Sequence, residues 1–415
     1  MIPPDALQVL IISHEKVAQA GDFPREKNYV ETIRNSFVRQ ETNELVRELA
    51  LVDEQGTGAN VKTFYVSSTA KEPLLPPPAA DLKKALHTLV IVIVSPTLLA
   101  DKAVVRGLEA LARAINDSEK QHGILVLDGT NRELEDFRKT GEAPALSEPQ
   151  SLRLEALGEY ALRPAYAGIL ALSKTHQLLE NDPEIPAGRL GAGRAKFFIS
   201  HAKLDGLSLS QSLSHTIDQL RWLEKFYDAK DIQPGDDFKE VLEHGVLGSI
   251  LLILRTDIYD LRFWCRQEVM WAEVYDRPAL LVDARAELLN RASVLGFTGI
   301  PGVRIPDGNL VRVIAEALRE WVRVGILRRR FSAALKDQPG RKAETRLLSR
   351  APSLTSLAAA IRDLKKEKVD PQALVRIVHA EPPLETNHQS AAQDFIAGSF
   401  PQGTVLSFKS FLAQS

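Results

Sequence analysis

The chain has 415 residues, with 52 Lys and Arg against 54 Asp and Glu, and 44% of its residues are hydrophobic. That length holds about two to four domains, and the composition is that of an ordinary globular chain, which excludes bulk disorder, collagen-like repeats and supercharged classes. A formal net charge of -2 supplies no global field for nucleic acid or anionic lipid, and a lone cysteine, Cys265, excludes an intramolecular disulfide framework and a cysteine-based zinc site. The start, Met1 to Asp5, has no basic stretch followed by an apolar one, so no signal peptide is expected. The longest apolar run, around Thr88 to Val94, falls far short of the roughly 20 residues that cross a bilayer. A cytoplasmic protein without membrane or nucleic-acid partners is the expectation.

Three regions follow one another: 1–185, 190–332 and 333–415. A Pro- and Gly-rich stretch, Asn181 to Arg194, reads as a linker, and Lys336 to Lys342 as a weaker joint. In the first region, Val9 to His14 and His87 to Ser95 read as apolar strands. Lys102 to Ile115 then reads as a helix and Gly123 to Asp128 as a further strand.

The second region alternates strand and helix. Lys196 to Ser200 is a short apolar strand. Leu209, Leu213, Ile217, Leu220 and Leu223 recur at helical spacing through about Glu224, and a weak strand follows to Asp231. A turn at Gln233 to Asp237 precedes a helix over Phe238 to Leu247. Then come a strand at Ser249 to Leu254, a helix at Leu261 to Tyr275, strands at Pro278 to Asp283 and near Gly302 to Ile305, and a helix at Leu310 to Val324. Strands alternating with helices predict a parallel sheet covered on both faces, of flavodoxin-like size, with any ligand at the carboxyl ends of the strands. The first region runs through the same order of elements with a longer insert that includes Leu74 to Pro78, which predicts a tandem of two related α/β domains.

The third region offers a helix at Leu354 to Lys365, a strand within Ala373 to His379, a helix at His388 to Ile396 and a strand at Gly403 to Phe408. It carries no recognisable motif and reads as a small α/β module or an interaction segment. The basic runs Arg328 to Arg330 and Arg341 to Lys342 read as solvated faces.

The segment Tyr259 to Glu268 is the most informative. Trp264 and Glu268 stand four apart on a predicted helix, one turn from each other on one face. An aromatic wall beside a carboxylate suits a sugar–heterocycle ligand: the ring encloses the flat base, and the carboxylate holds ribose hydroxyls and stabilises positive charge at the anomeric carbon. Glu273, five residues on and about 140° round the helix, faces elsewhere. Cys265 reads as a small buried apolar residue, since no His stands nearby in sequence to activate it.

At these residues the second region resembles a bacterial TIR (Toll/interleukin-1 receptor) domain. The resemblance rests on Phe197 to Asp205, on the turn Asp231 to Phe238, on the strand Ile250 to Arg255, and on Trp264-Cys265-x-x-Glu268. It departs from the family at Arg255-Thr256 and Arg262-Phe263, where the family often has Ser. The resemblance implies cleavage of NAD+ at the nicotinamide–ribose bond, with Glu268 as the catalytic carboxylate and NAD+ as substrate, so that no cofactor is called for. It implies substrate contacts from Trp264, Phe198, Ser200, His201, Lys203, Asp205, Pro234, Gly235 and Arg255. It also implies a latent enzyme of antiphage defence, assembling as a homo-oligomer or filament when a protein or nucleotide signal triggers it. His201 has no partner at ligand spacing, so no metal is expected. Lys203 could pair with a phosphate, but reads first as a surface lysine. A scaffold that signals by self-association, or a nucleotide sensor, is the alternative. The first region lacks the constellation: counted from its preceding strand, the position of Glu268 falls on Leu108, with Glu109 beside it. It is therefore expected to be an inactive assembly or sensing domain.

Overall fold

The structure is a computed structural model. It describes residues 5–14, 24–38, 57–118, 122–128, 134–135, 139, 152–153, 162–180, 194–220, 222–226, 237–286, 299–304, 308–336, 344–380 and 383–414. The chain divides into two compact units, Met1–Pro186 and Ala187–Ser415.

In the first unit, β1 (Asp5–His14), β2 (Asn60–Val66), β3 (Ala85–Val94), β4 (His122–Asp128) and β5 (Leu152–Arg153) form a parallel sheet in the order β2-β1-β3-β4-β5. The helices are α1 (Pro24–Phe37), α2 (Pro96–Ala100), α3 (Lys102–Asn116) and α4 (Arg163–Glu180). β1 and β3 are buried almost end to end, as strands covered on both faces must be. Asp101 starts α3 by accepting hydrogen bonds from the backbone N–H groups of Ala103 and Val104, each at 3.2 Å. Val104, Val105, Leu108, Leu111, Ala112 and Ile115 then form one buried stripe against the sheet.

In the second unit, β6 (Ala195–His201), β7 (Leu223–Phe226), β8 (Ile250–Arg255), β9 (Ala279–Asp283) and β10 (Gly302–Arg304) form a second parallel sheet, ordered β7-β6-β8-β9-β10. By position in each unit both sheets run 2-1-3-4-5, the flavodoxin-like order, so the predicted likeness of the two α/β regions holds at the level of topology. Between them the chain forms α5 (Leu207–Gln219), α6 (Phe238–Leu247), a short 3-10 turn at Tyr259–Leu261, α7 (Phe263–Val274) and α8 (Leu310–Lys336). α5 ends five residues earlier than the leucine spacing predicts. Leu220 closes the helix, and Leu223 opens a strand paired with Ala195.

The expected boundary after residue 332 lies inside a helix. α8 has 27 residues, so it is about 40 Å long. Its first half, including Val313, Ile314, Ala317 and Leu318, is buried where the helix lies against β8 and β9. Its second half sends Phe331, Ala334 and Leu335 against Val378, Phe408 and Phe411. Val378 belongs to a third parallel sheet, β11 (Thr345–Leu348), β12 (Arg376–His379) and β13 (Thr404–Ser407), in that order, and Phe408 and Phe411 to the helix that follows it. Its helices are α9 (Leu354–Lys366), α10 (Thr386–Ala397) and α11 (Phe408–Ala413), and its other face packs on Leu357, Ile361 and Leu364 of α9 and Ile396 of α10. The third region is thus a small α/β module fused to the second unit through a shared helix. The basic run Arg328 to Arg330 is not the solvated face its composition suggested: Arg328 pairs with Asp276, and Arg329 is buried.

Candidate functional site

The strand order reverses direction between β6 and β8, and in open parallel sheets ligands bind outside the carboxyl ends of the strands at that switch point. β6 brings Ser200 there, opposite Ile253 of β8. Alternation along β6 turns Phe198 and Ser200 to the same side of the sheet, the side that α7 covers. The inward stripe of α7 is Cys265, Glu268, Val269 and Ala272. Glu268 therefore occupies a core position, and its residue is 7% exposed. Ser200 Oγ donates to Glu268 Oε2, and the Tyr259 hydroxyl adjoins Ser200 Oγ. Tyr259 Oη also lies 3.3 Å from the Cys265 carbonyl oxygen. Burial drives the Tyr259 phenol well above its ordinary pKa, with Cys265 and Glu268 adding to the rise and the Ser200 hydrogen bond opposing it. The phenol is thus a proton-bearing group. Tyr259 is the site residue that sequence reasoning missed, because it lies 59 residues from Ser200 and only the 3-10 turn after β8 carries it inward.

The other expected contacts divide. Trp264 is 37% exposed on the outer side of α7, with its ring 5.0 Å from Phe238, 5.2 Å from Phe263 and 6.4 Å from Trp271. Phe263, 56% exposed, and Leu261, 74% exposed, add to this apolar surface. Phe198 is placed in the core instead of at a ligand. It is 1% exposed and stacks on Phe226 with centroids 5.0 Å apart, because its register on β6 points it under α6 and α7. His201 is buried, and its carbonyl accepts the Cys265 S–H at 3.5 Å, which accounts for that thiol as a packed group. Lys203 is exposed in the loop after β6. Asp205 braces that loop to the one after β8, accepting from Thr256 Oγ1 at 2.7 Å and the Ile258 N–H at 3.1 Å. Pro234 and Gly235 lie outside the described residues, as does most of their turn; Asp237 beyond it caps α6 through the N–H groups of Lys239 and Glu240.

Arg255, the departure from the family pattern, is buried and makes a two-nitrogen ion pair with Asp260, Nε at 3.2 Å. Beside it Arg285 grips Asp283 with Nε and Nη2, both at 2.8 Å. The Arg285 hydrogen bonds hold the Asp283 carboxyl below the usual range in spite of burial. The charges at the carboxyl ends of β8 and β9 are therefore matched in pairs. Glu273, the competing acid, lies far along α7 in a crevice with Asp276, Leu348, Arg350 and Ser356. Glu109 of the first unit pairs with Arg113 at 3.0 Å, and Leu108 is part of the core. Among the described residues no group of three or more His, Cys, Asp or Glu could hold a metal ion, and no helix is long and apolar enough to cross a membrane. No protein-family model matches the chain, and no curated protein matches it.

Proposed function

We propose that the chain is an NAD+ glycohydrolase acting through Glu268, latent until it assembles. One observation carries this reading: a carboxylate sits in the buried stripe of α7, held by a serine hydroxyl at the switch point between β6 and β8. A helix that needs only to pack would put an apolar residue there, since burying a carboxylate costs stability that a single hydrogen bond does not fully return. The chemistry needs little more. Nicotinamide leaves as a neutral group from a cationic pyridinium, so no general acid is required, whereas ordinary glycosidases work with two carboxylates. Glu268 would orient the ribose and stabilise the oxocarbenium-like transition state. Water then adds to the anomeric carbon, giving ADP-ribose, nicotinamide and a proton; capture by a nucleophile within the ligand would give a cyclic isomer. Trp264 and Phe238 supply flat apolar surface for a base. The resemblance to TIR domains supports the substrate, and analogy alone supports a role in antiphage defence.

The test is chromatography of purified full-length chain incubated with NAD+, alone and under crowding that favours assembly. Nicotinamide release should fall at least about 100-fold in Glu268→Gln and persist in Glu273→Ala and Glu109→Ala. Release by Glu268→Gln at the wild-type rate would sink the proposal. A second reading, a scaffold that signals by self-association, is favoured by the exposed surface of Leu261, Phe263 and Trp264. Concentration-dependent assembly with no turnover under any condition would select it.

A further inference from the structure

We propose that Ser349 and Arg350, at the corner between β11 and α9, form a latch that positions the helix carrying Glu268, so that the C-terminal module is the lever on the site. This rests on the NAD+-cleaving reading for its kinetic part only. The latch closes on the last turn of α7. That turn ends in a six-residue cap: the Arg277 N–H bonds to the Ala272 carbonyl at 2.7 Å, and the Asp276 N–H to the Glu273 carbonyl at 3.2 Å. Such a cap places its penultimate residue in the left-handed region, where glycine is the default because a Cβ is disfavoured. Here that residue is Asp276, with φ of 49°.

The aspartate is explained by what its carboxylate holds. Asp276 Oδ1 accepts from the Ser349 N–H at 2.9 Å and from the Ser349 hydroxyl at 2.7 Å. Asp276 Oδ2 lies 3.2 Å from Nη2 of Arg328 on α8. Arg350 then reaches the helix end directly: its Nη2 donates to the Arg277 carbonyl and lies 3.4 Å from that of Ala272, one turn from Glu268. Arg323 of α8 donates to the Ser349 carbonyl at 2.9 Å, closing the corner from behind. Three segments separated in sequence thus meet at a cap whose conformation glycine would adopt more easily. The helix has given up that ease for a carboxylate that the C-terminal module and α8 engage. A rigid α7 transmits the position of its last turn to Glu268, so whatever moves the module moves the acid.

Asp276→Gly is the decisive variant, because it relaxes the cap and at once removes the carboxylate that Ser349 and Arg328 engage. Asp276→Asn keeps an acceptor for Ser349. Hydrogen exchange of the α7 amides reads the latch without any turnover, and kcat and KM for NAD+ are read at a temperature where tryptophan fluorescence shows a fully folded protein. Asp276→Gly and Arg350→Ala should speed α7 exchange by about tenfold. Both should lower kcat by about tenfold with KM within about twofold, a fraction of what 1 Å of misplacement costs. Asp276→Asn should recover most of each. If Asp276→Gly protects α7 as well as the wild type does, or leaves kcat unchanged, the latch is refuted. Ser349→Ala, which deletes one hydroxyl, gives the same readings in smaller measure if Arg350→Ala does not fold. A wild type that never cleaves NAD+ would overturn the glycohydrolase reading, and exchange would still decide the latch.

Discussion

Tyr259→Phe removes a single oxygen from the centre of the site and tests its proton arrangement. The Ser200 hydroxyl has one proton and gives it to Glu268, so any proton between Ser200 and Tyr259 comes from the phenol, which shares it with the Cys265 carbonyl at 3.3 Å. The raised phenol pKa keeps that proton in place across the ordinary pH range. The chain therefore runs from Tyr259 to Ser200 to Glu268, each donor polarised by the next and all of it ending on a buried carboxylate. Loss of the phenol proton leaves Ser200 Oγ with one donor fewer in a fully buried setting. The expected cost is about 1–2 kcal/mol of unfolding free energy. All four tryptophans, Trp222, Trp264, Trp271 and Trp321, fall in the second unit, so fluorescence in a urea titration reports that unit apart from the first. The same change is then made in Glu268→Gln. A shared chain predicts coupling of about 0.5–1.5 kcal/mol between the two substitutions. Additivity, or a Tyr259→Phe protein as stable as the wild type, would show that the carboxylate is not the end of this chain.

Two further outcomes follow from packing and protonation. In the first unit His122 Nδ1 accepts the Thr88 N–H at 3.1 Å, and burial, then the neighbouring His87, lower its pKa. The unfolded chain then binds the extra proton first, so stability is complete above the ordinary histidine value of about 6.5 and is lost as pH falls through the lower folded value; hydrogen exchange in β3 and β4 should quicken there in the wild type, and a flat response would contradict the assignment. In the second unit a Cβ on Gly245 would lie 2.9 Å from Phe198 Cε2 and 3.2 Å from Phe226 Cδ1. Gly245→Ala should cost about 1–3 kcal/mol in the fluorescence-detected urea titration, and a neutral result would mean that the stacked rings yield.

The elements were legible where local signals agreed. α6 runs from Phe238 to Leu247 as its spacing predicts, because Asp237 caps its start and Gly248 its end. In the third region two helices and two strands were found within a few residues, while β11, α11 and the assembly of the module were not. α8 was expected to end at Val324, and the third region explains why it runs on with Phe331 and Leu335 buried. Of the site, Glu268 and Ser200 were legible singly. Their hydrogen bond spans 68 residues, and that between Ser349 and Asp276 spans 73. No periodicity encodes contacts of that separation. Phe198 was misplaced for a related reason: strand polarity tells which end of β6 faces a ligand, while only the sheet's partner helices tell which face is closed.

The two similar sheets in one chain sharpen the case for Glu268. α3 and α7 both follow the third strand of their sheet, and both bury a stripe against it. The α3 stripe has Leu108 at the position counted from the strand, and the neighbouring Glu109, buried to the same extent as Glu268, is paired along the helix with Arg113. The topology therefore does not require an acid there; a leucine completes the same kind of core. α7 carries a glutamate instead, and Ser200 from one strand and Tyr259 from the following turn both turn inward to it. Ser200, Tyr259 and Glu268 converge on one hydrogen-bonded cluster at this switch point, and burying a carboxylate there costs stability that packing alone gives no reason to spend. Function resides in the site and not in the fold, and the difference between Leu108 and Glu268 is the place in this chain where those two can be told apart.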